Sequence, residues 1–174
     1  ASHEPNPGEI EVDIFPESFA VLDIIGPQGT VETVKVTGPT TVEVEIFNLT
    51  DPDSNGREQV PTEIVAMELR GESPVFGPVI MRLRNAAKHP FMRSTGEVEE
   101  QINTQPGRLD LPPFAPTGSA DSFFNVFFEV EVAGLLLHNQ VPKRMRQVIT
   151  YKPPLWGQFY ENPEAIELYD ENNQ

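Results

Sequence analysis

The sequence predicts an all-β fold: a β-sandwich of the immunoglobulin-like or jelly-roll kind, with an extended N-terminal arm and a C-terminal tail. Eighteen prolines and twelve glycines in 174 residues interrupt the chain too often for helical periods to fit. Between the interruptions, apolar and polar residues alternate over short runs, which is the period of a half-buried strand. About ten such runs, with turn residues between them, favour a sandwich over a barrel. The length suits one domain with arms and is enough to bury a core without staples.

In chain order, Ile10, Val12 and Ile14 alternate with Glu9, Glu11 and Asp13, giving a strand with one apolar and one acidic face. Phe19–Ile25 is apolar on both faces except at Asp23, which suits a strand buried between layers or captured by a partner. Val31–Val36 and Thr41–Leu49 are expected as two strands separated by a turn at Gly38-Pro39. In the second, Val42, Val44 and Ile46 oppose Glu43 and Glu45. Ile64–Leu69 and Val79–Leu83 follow a loop at 51–62, and Val98–Ile102 is a weaker pattern. Pro106, Pro112, Pro113 and Pro116 mark 104–122 as an extended connection between layers.

The strongest pattern is Phe123–Val132, where Phe124, Val126, Phe128, Val130 and Val132 make one continuous apolar face. Leu135–Leu137 and Val148–Tyr151 complete the set. The resulting division is an arm at 1–26, a body at 27–152 and a tail at 153–174. Disordered acidic tails are poor in aromatic residues, so Trp156, Phe159, Tyr160, Ile166, Leu168 and Tyr169 imply that this tail docks on its own body or on a neighbour.

Charge is sorted by position. Residues 1–56 carry eleven acids and one base, Lys35; residues 57–152 carry eleven of each; residues 153–174 carry five acids and no base. Acidic ends on a neutral body can steer copies together. Two basic groups could receive an acidic arm: Arg82, Arg84, Lys88 and Arg93, then Lys143, Arg144 and Arg146. Local pairing with the acids of the body is the competing role, each surface pair being worth ~0–1 kcal/mol. A pI near 4.5 argues against nucleic acid, whose phosphates need clustered cations. No cysteine is present, which removes disulfides, thiolate metal sites and thiol nucleophiles. No apolar run approaches the ~20 residues of a membrane helix, and a chain starting Ala-Ser-His is consistent with signal-peptide removal and export, or with residues left over from expression.

Asp51-Pro52-Asp53-Ser54-Asn55-Gly56 has the alternating oxygen ligands and sharp-turn glycine of a calcium loop. The Arg57 carbonyl would supply the next ligand. An EF-hand would have glutamate where Thr62 stands, so Glu63, one residue later, is the acid available to complete the set. A polar hairpin turn uses the same residue types. Ala1-Ser2-His3 could hold Cu(II) or Ni(II) if Ala1 is a free amine. His89 and His138 have no partner at ligand spacing and are expected to be structural. Glu99/Glu100 and Glu129/Glu131 are expected to be solvated strand faces rather than a glycosidase pair. Asn48-Leu49-Thr50 is a short glycosylation sequon. No nucleophile elbow, phosphate loop or H-E-x-x-H motif occurs, so no enzyme is expected.

The run Asp121-Ser122-Phe123-Phe124-Asn125-Val126-Phe127-Phe128-Glu129-Val130, with Leu137-His138-Asn139 and Pro142 after it, resembles a signature of uncharacterised secreted bacterial β-proteins. Glu63–Leu69 and Gly77-Pro78-Val79 fit the same pattern, so the resemblance spans roughly 60–145. It implies an exported location and assigns no active residue. The expected function is therefore a structural subunit of an extracellular assembly, a filament built by head-to-tail strand addition between identical copies. Ile10, Val12, Ile14, Phe19, Val21 and Ile24 would form the polymerisation strand, and calcium would stiffen the loop at Asp51, Asp53 and Asn55. The competing function is a calcium-dependent module that binds a surface glycan or cell-wall polymer through Trp156, Phe159 and Tyr160.

Overall fold

The computed structural model describes residues 10–26, 28–152, 154 and 168–169. Ala1-Ser2-His3, the rest of the arm before Ile10, and the tail aromatics Trp156, Phe159 and Tyr160 lie outside the described residues. The fold is all-β and antiparallel, with no helix among the described residues. Its strands are β1 (Glu11–Ile25), β2 (Val31–Val44), β3 (Gln59–Ser73), β4 (Gly77–Leu83), β5 (Ser94–Glu100), β6 (Ala120–Val126), β7 (Phe128–Val132), β8 (Leu135–Asn139), β9 (Lys143–Ile149) and β10 (Leu168–Tyr169).

All ten strands belong to one hydrogen-bonded sheet. Long strands β1, β2 and β3 pair in sequence along their lengths. The far edge of β3 then forks: Glu68–Ser73 pairs with β4, and Gln59–Ile64 pairs with β5. One branch continues through β7 and β8 to β10, the other through β6 to β9. Phe127 sits between β6 and β7 where the branches meet. Ser94 holds it there, its Oγ accepting the Phe127 N–H at 3.0 Å and donating to the Phe127 carbonyl at 3.2 Å.

The sheet curls, because Asp13 and Phe15 of β1 and Ile149 and Lys152 at the opposite edge line the same small internal space of about 10 Å³. Inward side chains from β2 to β7, including Val36, Val44, Val60, Val79, Val98, Phe124 and Val130, fill the interior. In β6 and β7 this is the continuous apolar face that the alternation predicts. Register shifts at Phe15/Ser18 and at Thr41/Val42 act as bulges that keep one face of β1 and of β3 inward along their whole lengths.

Two expectations are corrected. Gly38-Pro39 makes no turn; β2 runs straight through it. A side chain at Gly38 would put its Cβ 2.0 Å from the Glu68 carbonyl oxygen, so glycine permits close strand approach. Pro39 lies opposite Pro16-Glu17, inside the β1 irregularity where the ladder needs no N–H from it. The proline-rich stretch at 104–122, expected as an extended connection between layers, instead contributes to the core. Leu109, Leu111, Phe114 and Ala115 are buried there, and the first three join the core.

Candidate interaction surface

β1 carries the residues expected to mediate polymerisation, and its alternation is seated in the opposite sense from an ordinary edge strand. Its acids point in. Glu11 and Asp13 both receive the ammonium of Lys152, which is 2% exposed and lies 2.9 Å from Glu11 Oε1, with Asp13 Oδ2 as its closest partner. Burial pushes the Glu11 carboxyl above its ordinary range, against the opposing pull of Lys152. Phe15, Ala20 and Leu22 pack inward against the core, but a second set of apolar side chains points out. Ile10, Val12, Ile14, Phe19, Val21 and Ile25 are all exposed, Ile14 at 66% and Ile25 at 72%, while Ile24 turns inward against the core. Val31, opposite Ile25 on β2, extends the stripe. β1 is also an edge strand, paired to β2 on one side with no partner on the other among the described residues. The segment expected as a free arm is therefore, from Glu11 onward, part of the sheet.

The second feature of this outward face is the segment between β4 and β5. It rises beside the fork and walls a groove of about 1090 Å³ floored by Val65, Ala66 and Met67 of β3 and bounded by Pro39 and Thr41 of β2. Ala86, Ala87 and Pro90 line the wall. Asn85 builds the turn, its side-chain oxygen accepting the Ala87 N–H at 3.0 Å and its carbonyl accepting the His89 N–H at 2.8 Å. In the same segment, Phe91 is 96% exposed. Three arginines of the first basic group are paired locally: Arg82 with Glu131 at 2.9 Å, Arg84 with Glu129 at 3.0 Å, and Arg93 with Glu63 at 2.7 Å. In the second group, Arg144 stacks 3.9 Å above the Phe123 ring.

Of the proposed calcium ligands, Asp51, Asp53 and Asn55 share one loop and spend their side chains on its own backbone, while Glu63 stands apart. Asp51 accepts the N–H groups of Asn55 and Gly56 at 3.1 and 3.0 Å, Asp53 accepts the Asn55 N–H at 3.2 Å, and Asn55 in turn accepts that of Arg57 at 2.8 Å. The Arg57 guanidinium reaches Glu99 at 2.6 Å and Asp121 at 3.4 Å. Glu63, engaged by Arg93, takes no part in this loop. No group of three or more His, Cys, Asp or Glu suited to a metal occurs among the described residues.

Of the paired acids expected on solvated strand faces, Glu131 is exposed, whereas Glu99, Glu100 and Glu129 are buried. Glu100 accepts the N–H groups of Glu58 and Asp110, both at 2.9 Å, and Asp110 accepts the Gln105 N–H at 3.1 Å and the Thr104 hydroxyl at 3.0 Å. These carboxylates fasten the 101–119 segment to the ends of β3 and β5. His138 is buried on β8, in register with Glu129 and Tyr169, and His89 lies in the turn after Asn85. Phe91 and Lys152 are the residues that sequence reasoning missed. A lone phenylalanine between proline and methionine, and a lysine after the last strand, carry no periodic signal.

No family model matches the chain, and no curated protein matches it. A solved structure does: DynF from the dynemicin biosynthesis pathway of Micromonospora chersina, with a TM-score of 0.63 at 20% sequence identity, over 95% of this chain and 73% of that one. The likeness concerns the fold, an antiparallel all-β arrangement. No helix among the described residues is long and apolar enough to cross a membrane.

Proposed function

We propose that this protein is a non-catalytic assembly subunit whose identical copies associate through the outward face of β1. The observation that carries this reading is the set of seven large exposed apolar side chains: Ile10 at the start of the edge strand, Val12, Ile14, Phe19, Val21 and Ile25 along it, and Val31 beside it on β2. Single exposed apolar residues are ordinary, but a contiguous row on one strand marks an interaction site or an aggregation hazard. Full burial of each such side chain is worth ~1.5–3 kcal/mol, so covering seven that are about half exposed gains on the order of 5–10 kcal/mol before association entropy is subtracted. The buried titratable groups support a structural role: Asp13, Glu100, Asp110 and Lys152 use their bonds on each other or on backbone groups. We read the curled sheet as a barrel-like enclosure, in place of the two-sheet sandwich, and the cysteine-free acidic chain as an exported one.

Sedimentation velocity of the whole chain tests the reading. Wild-type protein is expected to associate in the micromolar range, and Val12→Lys with Val21→Lys to give monomers with an unchanged circular dichroism spectrum. A wild-type monomer at hundreds of micromolar would overturn it.

A further inference from the structure

We infer that the surface covering the β1 face is the Lys88–Phe91 knob of a second copy, in a closed two-fold dimer rather than an open filament. The inference rests on the association proposed above and adds the partner surface and the symmetry. Phe91 projects at 96% exposure from a segment, 84–93, that contains no acid; Arg84 and Arg93 are spent on Glu129 and Glu63, so exposed Lys88 carries its charge. The β1–β2 face has the complementary character. It is apolar along Val12, Ile14 and Val21, carries exposed Glu17 and Asp23, and has Lys35 as its one base.

Knob and stripe lie on the same side of the same sheet. Ile14 of β1 is in register with Thr41 of β2, and Thr41 with Ala66 of β3. Thr41 and Ala66 both line the groove that the 84–93 segment walls. Stripe and groove floor are therefore two strand spacings apart, about 10 Å. When a protruding group and its receiving surface sit side by side on one face, a two-fold axis between them makes both contacts at once and closes the assembly. The groove floor, apolar at Val65, Ala66 and Met67, continues the receiving surface toward that axis.

The test combines light scattering with a double-mutant cycle on the full chain. Wild-type protein is expected to be a dimer. Phe91→Ser and Lys88→Glu should each raise its dissociation constant at least tenfold, without changing the melting temperature of the monomer. Phe91→Ser combined with Val12→Ser should weaken the dimer by clearly less than the product of the single effects, because each removes the same contact. If Val12→Lys abolishes association while Phe91→Ser and Lys88→Glu leave it intact, assembly through β1 stands and the knob assignment is wrong. Exact additivity of the Phe91 and Val12 effects, or growth into polymers, would also overturn the two-fold docking. A monomer at every concentration would remove both proposals.

Discussion

Lys152 is the residue on which the seam of this fold most depends. It brings one buried positive charge to two carboxylates on the opposite edge, Glu11 and Asp13. Replacing it by methionine leaves both acids enclosed without a counter-charge, and removing one partner of a buried pair costs about 3–5 kcal/mol. Lys152→Met should therefore shift the urea midpoint strongly downward, and adding Glu11→Gln and Asp13→Asn should recover most of the loss. No recovery would mean that Lys152 acts through packing alone. Glu100, 0% exposed, is the second such residue. Its two oxygens accept two backbone N–H groups, so Glu100→Gln turns an amide N–H₂ toward one of them and should cost ~1–3 kcal/mol. Equilibrium denaturation, with limited proteolysis of 101–119, checks this; an unchanged loop would refute its fastening role. Neither role is legible in sequence, because Glu100 looks like any acid of a strand face and Lys152 lies about 140 residues from its partners.

At the scale of elements, most strands could be read from period-two alternation, and the parity of β2, β6 and β7 places the core residues correctly. β1 shows where alternation stops short. The period says which residues share a face but not which face is buried, and here Glu11 and Asp13 turn inward with Phe15, where a single distant lysine meets them. Gly38-Pro39 shows a second limit, since the same dipeptide serves a turn or a close strand crossing and only the position of Glu68 decides between them. In the 101–119 segment, proline spacing suggested an extended run, yet Leu109, Leu111 and Phe114 were available to cap the interior. The residues proposed for association were visible as apolar side chains, but Phe91 had no neighbour in sequence to give it meaning.

For the whole molecule, charge and burial act in the same direction with pH. Glu11, Glu97 and Glu100 each have a carboxyl held above its ordinary range, with burial as the first cause in all three. Glu99 reinforces the effect at Glu97, and backbone donors oppose it at Glu100. Such groups bind protons more tightly folded than unfolded. Their contribution is fully present below the unfolded carboxylate range and is lost as pH rises through the folded values. A net charge of −15 adds self-repulsion of the same sign. The melting temperature is thus expected to be higher at about pH 5.5 than at about pH 8, and a profile that falls on acidification would contradict this account.

The bond between β1 and Lys152 also has a consequence for the order in which the chain is made. A ribosome releases Glu11 and Asp13 early and Lys152 some 140 residues later. Until then, the first hairpin can form its ladder but cannot lay its acidic side against the interior without facing uncompensated charge. The nascent chain is therefore expected to complete its middle strands first and to fold its beginning down last, when the lysine emerges. During that interval the outward row of β1 is exposed on a strand not yet fixed to the body, and that is when a newly made copy is most open to the wrong neighbour.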